Sequence, residues 1–210
     1  MAFLQFKSLS AVAQEYQITT QNVVFLDTAG DSPPSAAFLE RLLVVMAEGL
    51  HKVSEYARCE LLIAPMLYDA WLQYRSALKL WSHPTLDFDA VLNGMPDYIV
   101  AGQSELGTAV LGKPILLAVE AKRDNFEEGW GQCAAEMVAA ARPNNDLATV
   151  FGIVTNGELW QFGKLEGSRL IQEITYYGIN DLNKLFGTLS FVMEECYKQV
   201  IAPQTLNPYS

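Results

Sequence analysis

The chain alternates between short, almost wholly apolar runs and longer stretches in which apolar residues recur every three or four positions, the pattern of strands interleaved with helices. Pro114-Ile115-Leu116-Leu117-Ala118-Val119 is apolar throughout and ends abruptly in Glu120, Lys122, Arg123 and Asp124, as a buried strand does where it leaves a core. Tyr98-Ile99-Val100 predicts another strand, and the glycine-bearing loop from Ser104 to Gly112 returns the chain antiparallel. Residues 149–155 read as a further strand, Asn156-Gly157 as a hairpin signal, residues 158–165 as the returning strand, and residues 170–177 as the one after it. A short strand is also expected over residues 23–26, ahead of a linker at 27–34. Helical spacing predicts helices over residues 35–50, over 54–80 with a bend at Pro65, over 130–141 with Gln132 near the start, and over 182–201, where Asn180 or Asp181 caps the start and Pro203 stops the end.

This order implies an α/β sandwich with a central mixed β-sheet flanked by helices. Half of the 210 residues are hydrophobic, enough for one good core. The simplest division is an N-terminal strand-and-helix extension, residues 1–53, packed on a core of residues 54–210 that ends in the C-terminal helix. No apolar run approaches the ~20 residues that span a bilayer, and residues 1–10 lack the charged-then-apolar pattern of a leader, so a soluble, cytoplasmic protein with no membrane partner is expected. Cys59, Cys133 and Cys196 are scattered without metal-site or disulfide spacing and read as small buried residues. His51 and His83 fall in apparent loops away from the charged strand end and read as surface residues. Trp130, Trp160, Tyr98 and Tyr177 are of a kind that can stack on bases, but in such apolar runs they read as core.

The chemistry gathers at the strand ends. Side chains alternate along a strand, so Glu120 and Lys122 share a face while Ala121 points away. Asp97 opens the neighbouring strand, which lets Asp97 and Glu120 become neighbours. Two carboxylates held together repel unless one is protonated or a cation sits between them. Mg2+, or Mn2+ in its place, suits such a pair: it is a hard ion that takes one or two carboxylates and keeps its remaining positions for water and phosphate. Lys122 would then stabilise developing negative charge, and Gln132 would hold a water or satisfy the backbone at a helix start. Glu136, four residues on, shares the face of Gln132. Glu60 falls in line with Ala64, Leu67 and Trp71 at helical spacing, a carboxylate in an apolar stripe that needs a metal or a cation such as Lys122 or Arg58 beside it.

The ordered set Glu60, Pro96-Asp97, Glu120-Ala121-Lys122 and Gln132 resembles the PD-(D/E)xK, restriction-endonuclease-like nuclease superfamily over residues 54–162. The resemblance implies the corresponding fold and a metal-dependent phosphodiesterase acting on nucleic acid, most naturally DNA. It also implies Asp97, Glu120, the backbone carbonyl of Ala121 and the optional Glu60 as metal ligands, and Lys122 as the residue acting on the nucleophilic water. Net charge opposes this reading. At −10 the chain has little with which to meet phosphates, and the cations expected near the motif are Lys113, Lys122, Arg123 and Arg142. The competing expectation is a catalytically silent interaction or regulatory module on the same fold, acting as a homodimer.

Overall fold

The structure, a computed structural model, describes residues 3–145 and 148–205. In chain order the helices are α1 (Leu9–Tyr16), α2 (Ala36–Ala47), α3 (Glu55–Arg58), α4 (Ala64–Trp71), α5 (Phe126–Ala141) and α6 (Leu182–Thr205). The strands are β1 (Thr19–Val23), β2 (Leu78–Ser82), β3 (Leu86–Asp87), β4 (Asn93–Gly94), β5 (Tyr98–Gly102), β6 (Ile115–Ala121), β7 (Val150–Thr155), β8 (Leu159–Glu166), β9 (Arg169–Glu173) and β10 (Tyr177–Gly178). Among the described residues one mixed sheet runs β1-β9-β8-β7-β6-β5-β2, with β10 pairing the start of β8, and β3 and β4 form a separate small hairpin. β6 and β7 are parallel and joined through α5, a βαβ unit; β1 and β9 are also parallel, and the remaining neighbours are antiparallel. The fold is thus α/β with helices on both faces of a large mixed sheet. No helix among the described residues is long and apolar enough to cross a membrane.

Alternation along β6 distributes its side chains between two cores. Leu117, Val119 and Ala121 join Tyr98, Phe151, Trp160 and Phe162 under α2, α4 and α6, whereas Ala118 joins Ile99, Val154 and the apolar side of α5. Both faces are covered, which is why β5, β6 and β7 are buried from end to end and read as continuous apolar runs. The four aromatics Trp130, Trp160, Tyr98 and Tyr177 and all three cysteines are buried in these cores.

Several expectations from sequence are corrected. The helix expected over residues 54–80 stops at Tyr74 after a series of short turns, and Leu78–Ser82 is the edge strand β2. Pro65 brings no N–H for the carbonyl of Leu61, and the turn ahead of it widens into a π turn, Cys59–Ile63, in which the Ala64 N–H bonds back to the Cys59 carbonyl. α5 begins at Phe126, capped by Asn125 through a bond from the Glu128 N–H, so Gln132 stands in its second turn and does not open it. α6 runs through Pro203 to Thr205; a missing N–H so close to a helix end costs a single bond and ends the helix a little beyond the proline. The hairpin at Asn156-Gly157 forms, with Gly157 at φ +85° and the Asn156 side chain accepting from the N–H groups of Glu158 and Leu159.

The strand expected over residues 23–26 lies earlier, at β1, and the backbone just past β1 is anchored by a buried carboxylate instead of a ladder. Glu173 Oε2 accepts from the N–H groups of Phe25 (2.7 Å) and Leu26 (2.9 Å), and Oε1 from that of Thr175 (2.9 Å). Burial alone would raise this carboxyl, but the three backbone donors together hold it below its ordinary range. Glu173→Gln keeps one acceptor and turns an NH2 toward backbone N–H groups. We expect it to cost about 2 kcal/mol in denaturant unfolding; a loss under about 0.5 kcal/mol would show that the carboxylate does not anchor this crossing.

Candidate active site

β5 and β6 pair Tyr98 with Val119, which sets Asp97 opposite Glu120 at the sheet end where β6 emerges. Asp97 Oδ2 accepts from the Ala121 N–H at 2.7 Å, a bond that ties the aspartate to the middle residue of Glu120-Ala121-Lys122. Lys122 Nζ stands 3.3 Å from Glu120 Oε1. α5 crosses above. It lies so close because Gly129 has no side chain: a Cβ there would meet Val154 Cγ1 at 2.6 Å and Lys122 Cγ at 2.9 Å. That approach lowers Gln132 and Glu136 onto the carboxylates, and Glu136 hydrogen bonds with Glu120. On the far side of α5, Gly131 meets the backbone of Phe6 and Ser8, so the N-terminal strap crosses the helix there and brings Phe3 and Leu4 to the same hollow.

The result is a cavity of about 310 Å3 lined by Asp97, Glu120, Ala121, Lys122, Gln132 and Glu136. Glu60 is not among its walls. It is exposed on the π turn, because the wide turn breaks the helical phase that would have aligned it with Leu67; Glu55, one turn earlier on α3, faces the cavity in its place. His83 is the second correction. It lines the cavity with a left-handed backbone (φ +50°), its N–H donating to the Asp97 carbonyl at 2.8 Å and its Nε2 lying 3.4 Å from Asp97 Oδ1. His51 is fully buried, not superficial. Of the cations expected nearby, Lys122 is in the cavity and Arg123 pairs with Asp124 at 3.5 Å. Lys113 precedes the opposite end of β6, and Arg142 follows the last turn of α5, about 15 Å beyond Gln132 at helical rise.

Three carboxyl groups with one ammonium cannot all ionise in a buried place. Burial, then the charge of Asp97, push Glu120 up to about 7 against the pull of Lys122. Burial, then Glu120 and Asp97, push Glu136 well above its ordinary value. Burial raises Asp97 as well, opposed by the Ala121 N–H, His83 and Lys122. Both glutamates are thus inclined to keep a proton, and in the hydrogen bond between them Glu136 is the donor. A divalent cation fits what remains. Both amide atoms of Gln132 and Glu136 Oε2 are buried without a hydrogen-bond partner, and the carboxylates exceed the cations. Among the described residues no three acidic, histidine or cysteine side chains form a ready cage, so two carboxylates, a backbone carbonyl and waters are the donors on offer, a set suited to Mg2+.

Glu120 and Glu136 hold protons in the folded chain above the 4.5 at which an exposed glutamate releases its own, so their contribution to stability is fully present below pH 4.5 and is lost as pH rises, through about 7 for Glu120. In chelator, unfolding midpoints should therefore fall between pH 5.5 and pH 8. Glu136→Gln, which keeps a donor for Glu120, should flatten that fall and raise the midpoint at pH 8. An unchanged slope in the variant would remove Glu136 from the coupled group.

Asp97, the Glu120-x-Lys122 strand end and Gln132 were legible as a set, and the spacing of Glu136 four residues after Gln132 put it on the same face, as a support behind the site or a surface residue, of which the structure shows the first; Glu55 and His83 were not singled out as neighbours. Compared with known proteins, the chain matches no family model, and no curated protein matches it.

Proposed function

We propose that this chain is a metal-dependent phosphodiesterase of the restriction-endonuclease-like, PD-(D/E)xK kind, acting on DNA in the cytoplasm with Mg2+ or Mn2+. The observation that carries the reading is the bond from the Ala121 N–H to Asp97 Oδ2, which locks the aspartate of one strand onto the glutamate-x-lysine end of the next. Asp97 and Glu120 would hold the ion together with the Ala121 carbonyl. The ion would supply charge for a phosphoryl oxygen and a more acidic water. Lys122 stabilises the charge that develops on phosphate, Gln132 orients a water or a phosphate oxygen through its unpartnered amide, and Glu136 fixes Glu120 by hydrogen bonding. The fold's acidic surface is met by the ion and Lys122 locally, since long-range attraction to phosphates is weak at a net charge of −10.

A second reading, a silent interaction module working as a homodimer, draws on the outward side of α2 and its neighbours, where Leu43, Val53 and Tyr56 are each more than two-thirds exposed. Incubation with a labelled panel of duplex DNA, single strands and RNA in Mg2+ or Mn2+ separates the two. Metal-dependent cleavage supports the enzyme; a clean absence in every combination, with a dimer in sedimentation, supports the module.

A further inference from the structure

On the α5 face of the sheet a row of amides occupies positions where core residues belong. Asn22 on β1 pairs in register with Gln172 on β9, which pairs with Gly163 on β8. The Trp130 ring lies over Gly163, and its Nε1–H donates to Gln161 Oε1 at 2.8 Å, leaving the Gln161 NH2 as a donor. These side chains line a groove of about 390 Å3, open to Phe126 and to Tyr176, which is 57% exposed. Past Asn22 and Gln172 the groove continues into a hollow of about 460 Å3 against α1.

Among the described residues no lysine or arginine lines the groove, and Glu127 stands at its rim. The Glu173 carboxylate is already taken by three backbone N–H groups. Nothing within the groove meets an anionic group, and it suits a flat, neutral one whose charged attachments stay outside: aromatic walls for a π face, amides for donor and acceptor edges. Trp130 and Gln132 leave α5 on opposite sides, so the groove and the catalytic cavity are separated by about the 10 Å width of a helix.

We infer that this amide-lined groove is a pocket for an unpaired nucleobase, adenine by preference, which seats a nucleotide next to the one held at the cavity. The inference rests on the nucleic-acid reading above for its ligand. Adenine is favoured because an asparagine or glutamine amide matches its N6–H2 and N7 as a donor-acceptor pair.

The test uses the intact chain without added metal. Adenosine, cytidine, thymidine and, as a neutral control without an aromatic face, glucose are titrated while the indole N–H resonance of Trp130, identified by its loss in Trp130→Phe, is followed. Adenosine should shift it saturably and bind about 10-fold more tightly than cytidine or thymidine. Tyr176→Ala and Asn22→Ala, both at exposed positions, should each weaken adenosine about 5- to 10-fold without altering thermal stability. A resonance indifferent to every nucleoside, an equal response to glucose, or adenosine binding unchanged in both variants would overturn the inference. Failure here is separable from failure of the enzyme reading: cleavage of DNA without a nucleoside response sinks the pocket alone, whereas adenosine binding in a protein that cuts nothing leaves the pocket standing.

Discussion

Asp97→Asn should leave the protein folded, raise its melting temperature in chelator, and abolish the stabilisation that Mn2+ gives the wild type. The asparagine oxygen can still accept from the Ala121 N–H, so the tie between β5 and β6 survives. What disappears is one of the buried charges that raise Glu120 and Glu136, and the new NH2 can donate toward Glu120. Relief of about 1 kcal/mol corresponds to roughly 2–4 °C for a chain of this size. The wild type, by contrast, gains stability in proportion to the logarithm of free ion over its dissociation constant, and the variant should gain none. Because the ion competes with the proton on Glu120, the wild-type gain should also grow between pH 6 and pH 8. Thermal melts with and without Mn2+ at two pH values decide this. Equal shifts in wild type and variant would place any bound ion elsewhere.

Lys122→Ala should reduce turnover on DNA about 100- to 1000-fold while leaving Mn2+ binding in place, the loss expected when a single charged donor to a transition state is removed. Lys122 lies 3.3 Å from Glu120 and opposes the rise in its pKa. Its removal leaves Glu120 and Asp97 without their cation, so the ion should bind at least as well once the pH is high enough to ionise Glu120. The contrast between intact ion binding and lost turnover distinguishes a transition-state role from a structural one, since a collapsed site would lose both. Turnover should fall with salt along a shallow slope, because few cations other than Lys122 stand near the cavity. A variant that cuts as fast as the wild type would remove Lys122 from the chemistry.

The features legible in the sequence were those that depend on period or on a local turn. The β6 run declared itself because both faces of that strand are covered, and Asn156-Gly157 marked the hairpin because glycine takes φ +85° without strain. The pairing of Asp97 with Glu120 was legible because both strand ends are punctuated by charge. Helix α1 was not anticipated: its eight residues carry one buried side chain, Val12, and are held by caps at Ser8 and Gln17 rather than by an apolar stripe. Residues 78–80, the first three of β2, read as helix because the partner strand, β5, lies about twenty residues away, and nothing local distinguishes an edge strand from the continuation of an apolar helix. Glu60 was misplaced for a different reason. The projection that aligned it with Leu67 assumed a constant 3.6 residues per turn across Pro65.

The π turn at Cys59–Ile63 holds one residue more than an ordinary α-helix needs for the same rise, which makes it the place where this helix can lose length at least cost. Five residues in the wide turn cover about the rotation and rise that four cover in an α-helix, so removing the exposed Leu61 would let the backbone return to ordinary α-helix while Glu55 and Tyr56 on one side and α4 on the other keep their places. The same loss within α4 would instead rotate everything before it by about 100° and carry Glu55 and Tyr56 off the cavity wall. A single lost codon is thus absorbed in one turn and rewires a wall of the cavity in the next.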